Sequence, residues 1–223
     1  MQDSIQKLAK EAVKLVKGAK VVGLGSGSTV GFIVREMGKL PDKESIEFMP
    51  TSLQIKVEAE KSALRVADES RIPHTDIVFD GADQIDSKFN MIKGGGGALL
   101  REKILISAAK KVVIVADASK FVQSFSRSVP IEVHPMARSI LSKKLAEMGG
   151  QPLLRTLDKG YPLVTENGNL ILDTFFSSIS DPKKMERELK NFAGVLEVGL
   201  FTRRADIYYK AKEDGSFETI SFQ

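Results

Sequence analysis

Short apolar runs alternate with stretches of helical periodicity along the first half of this chain, and that alternation leaves few folds open to it. Lys20-Val21-Val22-Gly23-Leu24, Ile46 to Met49, Asp76-Ile77-Val78-Phe79-Asp80 and Val112-Val113-Ile114-Val115-Ala116 read as strands. Near-continuous apolar character of this kind belongs to strands covered on both faces. Between them, apolar residues recur at helical spacing over about 4–16, 29–37, 52–61 and 94–110. The prediction is an α/β protein with a parallel sheet.

After Pro130 the rhythm changes. Ile131 to Val133 reads as a strand, Met136 to Met148 as a helix ended by Gly149-Gly150, and Pro152 to Leu157 as a strand. A strand pair is expected over Tyr161 to Phe176 with a turn at Asn167-Gly168, then a helix from Pro182 to Phe192 and a strand from Val195 to Phe201. Strand-helix-strand-strand-helix-strand is the order of a ferredoxin-like unit. Ala205 to Tyr209 and Thr219 to Phe222 are expected to return to the first domain.

Composition closes off several function classes. The 223 residues carry 33 basic and 29 acidic side chains, a net charge of +4, interspersed rather than gathered in a one-signed block. With no Trp and three Tyr, and no basic stretch interleaved with aromatics, a surface for stacking nucleic-acid bases is not expected. The absence of Cys removes disulfides, thiolate metal sites and a thiol nucleophile, and fits a reducing compartment. No apolar stretch approaches the roughly 18 to 20 residues of a membrane span, and the charged, amphipathic first segment is unlike a signal peptide. A cytoplasmic protein without a membrane partner is the expectation. His74 and His134 lie far apart and read as structural.

Lys93-Gly94-Gly95-Gly96-Gly97 runs directly into the helical pattern of Ala98, Leu99, Leu105 and Ile106. A helix beginning at glycines offers close-approach backbone N–H groups and the positive end of its dipole to an anion, and Lys93 adds a charge. At about 100° per residue, Glu102 falls on the apolar face, where a desolvated carboxylate is a useful proton acceptor. Gly25-Ser26-Gly27-Ser28-Thr29, at a strand-to-helix turn, offers amides and three hydroxyls to a phosphate. A dinucleotide fingerprint would place Gly at Ser28 and an acid where Pro50-Thr51 stands, and a Walker loop would need a Lys. Asp80-Gly81-Ala82-Asp83 sets two carboxylates after a strand, suited to gripping hydroxyls, moving protons or holding Mg²⁺. Asp86 reads as a turn residue. In an open parallel sheet the carboxyl ends of the strands share one crevice, which would gather the Ser26 to Thr29 turn and Asp80 to Asp83 with Asp117 to Lys120.

Taken in order, Gly23-Leu24-Gly25-Ser26-Gly27-Ser28-Thr29, Asp80-Gly81-Ala82-Asp83, Lys93 to Lys103 and Asp117-Ala118-Ser119-Lys120 resemble the ribose-5-phosphate isomerase type A family. Thr165-Glu166-Asn167-Gly168-Asn169 and Gly199-Leu200-Phe201 extend the likeness over nearly the whole chain. The resemblance implies a Rossmann-like domain, 1–129 with 206–223, carrying an inserted ferredoxin-like α+β domain at 130–205. It also implies a metal-independent activity without a cofactor, on a small sugar phosphate, in a homodimer or homotetramer.

By the same likeness D-ribose 5-phosphate and D-ribulose 5-phosphate interconvert through an enediolate, with Glu102 moving the proton between C1 and C2. Asp80 and Asp83 would contact the sugar hydroxyls and assist ring opening. Lys93 with the amides of Gly94, Gly95 and Gly96 would stabilise the oxyanion. Ser26, Gly27, Ser28 and Thr29, with Gly81 and Ala82, would line the substrate, and Lys7 and Lys120 would lie near the phosphate. Two departures stand out: Ser26 replaces the family's usual Thr, and Gln84 replaces the usual acid after Asp83, so Gln84 is assigned no catalytic role. The rival expectation is a non-catalytic sugar-phosphate sensor. Such sensors carry a DNA-binding module ahead of this fold, for which the stretch before the first strand is too short.

Overall fold

A computed structural model of the chain describes residues 2–71 and 73–222. Its first half runs α1 (Gln2–Ala12), β1 (Val21–Leu24), α2 (Ser28–Met37), β2 (Glu47–Pro50), α3 (Leu53–Lys61), β3 (Thr75–Asp80), β4 (Gln84–Ile85), β5 (Met91–Ile92), α4 (Leu99–Ala108) and β6 (Ala109–Asp117). The second half runs β7 (Val129–Val133), α5 (Arg138–Glu147), β8 (Gly150–Leu154), β9 (Leu170–Phe176), α6 (Pro182–Lys190), β10 (Val195–Val198), β11 (Leu200–Phe201), β12 (Ile207–Ala211) and β13 (Phe217–Ser221). The chain divides into two compact units, Met1–Ala82 with Arg101–Lys120 and Ala205–Gln223, and Asp83–Leu100 with Phe121–Arg204.

The first unit is built on a six-stranded sheet in the order β13-β12-β6-β3-β1-β2, parallel except for the antiparallel edge strand β13. Its central strands are apolar because they are covered on both sides. On one face, Val30, Ile33, Val34 and Met37 follow the spacing of a single helical stripe along α2. They bury fully with Leu8 of α1 and Ile55 of α3 against Val22, Phe48, Phe79 and Val113. Each such side chain contributes roughly 1.5 to 3 kcal/mol of apolar burial. On the other face α4 approaches β1 closely: Leu105 Cδ1 lies 3.2 Å from where a side chain on Gly23 would begin. Leu24, Pro50, Asp80, Asp117 and Ala211 end their strands along the sheet's carboxyl edge.

At the opposite end, Asp76 ties β1 to β3. Its carboxylate accepts hydrogen bonds from the N–H groups of Lys20 (2.8 Å) and Val21 (3.1 Å) and from Lys110 Nζ (2.8 Å). The Lys110 hydrogen bond above all, with Lys20 N–H next, holds the Asp76 carboxyl down from 3.8 to about 2. A carboxyl depressed in the folded state adds stability above its unfolded pKa and loses it as pH falls toward the folded one. Because Lys110 is largely exposed, solvent screening reduces the contribution to about 1 to 2 kcal/mol. Asp76→Asn is therefore expected to lower unfolding free energy by that amount near neutral pH, with about half of the difference gone by about pH 3. Urea unfolding of both proteins at several pH values checks this, and a difference that does not change with pH contradicts it.

In the second unit β7, β8, β9 and β10 form an antiparallel sheet ordered β10-β7-β9-β8, with α5 connecting β7 to β8 and α6 connecting β9 to β10. This is the ferredoxin-like order, and its core holds Val129, Ile131, Leu141, Leu145, Leu172 and Leu189. Two expected strands come out differently. Val195 to Phe201 breaks at Gly199, whose N–H goes to Pro130 O and whose carbonyl takes Lys93 N–H, so that β11 joins a separate small sheet with β5 and β4. The first arm of the expected 161–176 pair is a loop making only isolated bridges, Thr156 to Pro162 and Val164 to Leu170. A buried carboxylate takes over from the ladder there: Glu132 accepts from Thr165 Oγ1 (2.8 Å), Asn167 Nδ2 (3.0 Å) and Asn169 Nδ2 (2.9 Å).

Candidate active site

Where β1 ends, the chain turns through Gly25 to Gly27 into α2, with Gly25 N–H bonded to Phe79 O at 2.8 Å. The turn wraps around Asp80, which is 1 % exposed and whose Oδ1 accepts from Gly81 N–H (2.7 Å) and Ser26 N–H (3.4 Å). Gly27 N–H is taken by Gln54 Oε1 at 3.3 Å. Among the described residues, the next two amides, of Ser28 and Thr29, meet no protein acceptor. They stand at the positive end of α2 with their hydroxyls beside them, an arrangement suited to an anion.

Glu102 lies in the first turn of α4 and is 2 % exposed. Leu99, Leu105 and Ile106, which flank it around the helix, are all buried, as the spacing predicts, and so is Ala98 just before the helix. Its Oε1 accepts a hydrogen bond from the Ser26 hydroxyl, which brings the carboxylate to the carboxyl edge of the sheet. Lys120 is at the same edge, its Nζ 4.0 Å from Asp117 Oδ2. Lys7 reaches the hairpin turn that follows β12, with Nζ 3.3 Å from Gly215 O and 3.2 Å from Asp3 Oδ2.

The second unit holds Asp83 and the glycine run. Lys93 is 2 % exposed, and its Nζ sits 5.4 Å from the centroid of the Phe201 ring, a cation–π contact. The expected helix start at Gly94 is not found: α4 begins at Leu99. Gly94 (φ +103°) and Gly97 (φ +85°) adopt backbone angles that no helix contains, and Gly97 N–H closes on Gly94 O at 3.0 Å as a tight turn. Asp83 Oδ2 accepts Gly95 N–H at 2.8 Å, and Gly95 and Gly96 are exposed.

Two side chains beside the glycine loop carry no local signature. Arg155 and Asp173 flank the glycine loop and form an ion pair, although 18 positions separate them. Only the pairing of β8 with β9 brings them together. Gln84 is structural: its Nε2 donates to Ser126 Oγ (2.7 Å) and its Oε1 accepts from Ser126 and Arg127 N–H. His134 Nδ1 accepts Met136 N–H at a helix start, and His74 Nε2 lies 3.7 Å from Asp76. Among the described residues no three His, Asp or Glu side chains stand close enough to share a metal ion. No helix there is long and apolar enough to cross a membrane.

Residues 47–215 match the family model for ribose 5-phosphate isomerase A (phosphoriboisomerase A). Ribose-5-phosphate isomerase A of Methanosarcina acetivorans is 39 % identical over 95 % of this chain and 92 % of its own length. Ribose-5-phosphate isomerase A 1 of Oceanobacillus iheyensis is 39 % identical over 97 % and 98 %. The ribose 5-phosphate isomerase A structure from Methanocaldococcus jannaschii superimposes with a TM-score of 0.91 at 36 % identity, covering 99 % of each chain. A D-ribose-5-phosphate isomerase solved in complex with phospho-erythronic acid gives 0.93 at 33 % identity, over 100 % of this chain and 99 % of that one. With a family model spanning most of its length and relatives matched nearly end to end, this chain belongs to the ribose 5-phosphate isomerase A family.

Proposed function

We propose that this protein interconverts D-ribose 5-phosphate and D-ribulose 5-phosphate, with Glu102 as the base. The observation that carries the reading is a buried carboxylate hydrogen-bonded by Ser26 at the carboxyl edge of a parallel sheet. In the open-chain aldose, Glu102 takes the proton from C2, the C2–H electron pair becomes the C1–C2 double bond, and the carbonyl π pair moves onto the C1 oxygen to give the enediolate. Glu102 then returns a proton to C1 while the C2 hydroxyl proton passes to the former carbonyl oxygen, leaving a ketone at C2. The exchange is redox-neutral, so its stoichiometry requires no electron acceptor.

Charge collects on oxygen in the intermediate, and fixed donors aimed there lower the barrier most. Lys93 with the amides of Gly94 and Gly96 fill that role in this reading, the expected third donor, Gly95 N–H, being held by Asp83. Asp80 and Asp83 contact sugar hydroxyls and assist ring opening, beside Gly81 and Ala82. Ser28 and Thr29, with Lys7 and Lys120, hold the phosphate, whose remote binding energy orients the short sugar over the base, while Ser26 and Gly27 line the substrate beside them. A homodimer or homotetramer in the cytoplasm completes the reading, and light scattering checks the assembly.

The test is ribulose 5-phosphate formation from ribose 5-phosphate in the presence of excess EDTA. Turnover is expected. Substrate binding without turnover would instead support a sugar-phosphate sensor, and turnover abolished by EDTA would overturn the metal-independent mechanism.

A further inference from the structure

The glycine loop is gripped by a side chain that the proposed reaction leaves unused. Arg155, just beyond β8 and 14 % exposed at its side chain, pairs through Nε and Nη2 with both oxygens of Asp173, Nε to Oδ2 at 2.7 Å. That pairing fixes the plane of the guanidinium. Its remaining arm, Nη1, donates to Gly94 O at 2.7 Å and Gly95 O at 3.0 Å. On the opposite side of the same peptide, Asp83 takes Gly95 N–H.

A trans peptide points its C=O and N–H in opposite directions. Holding Gly95 O on Arg155 therefore turns the N–H of Gly96 toward the side where Asp83 stands. Gly96 is exposed, and among the described residues its N–H meets no protein acceptor. Glycines offer little resistance to rotation of the peptide between them. Rotated by half a turn, the 95–96 peptide would present a carbonyl oxygen to an anion where it now presents a donor.

We infer that Arg155, locked by Asp173, is a positioning residue that keeps the Gly96 amide aimed at the reacting oxygen of the sugar. The inference rests on the isomerase reading above. Arg155 acts through the loop rather than on the substrate. Its removal should therefore lower kcat much more than it raises KM, because the amide counts most when charge has developed on the oxygen.

The experiment compares the parent, Arg155→Ala and Asp173→Asn in steady-state kinetics and in calorimetric binding of phospho-erythronic acid, whose carboxylate resembles the charge pattern of an enediolate. Arg155→Ala is expected to lose about 10²-fold in kcat with KM within about threefold of the parent. Low-millimolar guanidinium should restore most of that loss, a rescue that no general loss of structure would show. Asp173→Asn, which leaves Arg155 in place but loosens its plane, should lose about tenfold and keeps the test informative if Arg155→Ala does not fold. A kcat within about twofold of the parent, a loss carried by KM alone, or no rescue by guanidinium would overturn the inference. If the parent binds phospho-erythronic acid without turning over ribose 5-phosphate, the isomerase reading is the one that fails. The inference is then decided on affinity, where Arg155→Ala should bind phospho-erythronic acid about 10²-fold more weakly and unchanged binding would overturn it.

Discussion

Glu102→Gln is expected to leave the protein folded and able to bind sugar phosphate while kcat falls by about 10³ to 10⁴-fold. The amide has nearly the shape of the carboxylate, and its oxygen can still accept the Ser26 hydroxyl, so the packing around Ala98, Leu99, Leu105 and Ile106 has no reason to change. The substitution removes the capacity to take a proton, together with the carboxylate's negative charge. Because the phosphate grip at Ser28 and Thr29 is separate from the chemistry in this reading, KM should stay within about threefold of the parent. Glu102→Asp retains the acid but shortens its reach by one methylene, and a displacement of about 1 Å from the attacked carbon is expected to cost about 10²-fold. Stopped-assay measurements of ribulose 5-phosphate formation separate these outcomes. Near-normal turnover in Glu102→Gln would remove the residue from the base role.

What the sequence reveals of this site follows from the length of each signal. Residues 112–116 of β6 and the shorter stretch 77–79 of β3 are unbroken apolar runs, readable because strands buried on both faces need few polar residues. The position of Glu102 on α4 was equally readable, since angular spacing around a helix is fixed whatever packs against it. The start of α4 was not: four glycines precede an apolar helix, but the positive φ angles at Gly94 and Gly97 place them in a turn. Two-residue strands such as β4, β5 and β11 are too short to carry any period, so the small sheet they form leaves no mark in the sequence. Tyr161 and Val164 are apolar enough to suggest a strand, yet both are more than half exposed, and their loop is organised by Glu132 from a distant strand. Arg155 and Asp173 belong to the same class, side chains whose meaning depends on a partner far away in the chain.

Gly25→Ala adds a single methyl group, and it is expected to cost about 10²-fold or more in kcat/KM together with about 1 to 3 kcal/mol of stability. The new Cβ would lie 1.9 Å from Asp80 Oδ1 and 2.1 Å from its Cγ. Asp80 is 1 % exposed and short, so its carboxylate has no solvent-side position to retreat to, and moving it breaks the hydrogen bonds from Ser26 and Gly81. The turn and the carboxylate thus occupy space that allows no side chain at position 25, a constraint that strand-to-helix turn geometry does not by itself impose. Trimming the partner separates the steric effect from the chemical one. Asp80→Ala would not relieve the clash, because Asp80 Cβ itself lies 2.7 Å from the added methyl. Asp80→Gly would relieve it. The double variant Gly25→Ala with Asp80→Gly is therefore expected to regain stability relative to Gly25→Ala without regaining kcat/KM. Chemical unfolding and the isomerase assay on the parent, both single variants and the double variant complete the cycle. A Gly25→Ala protein with parental stability and turnover would show that Asp80 has more room than this packing allows.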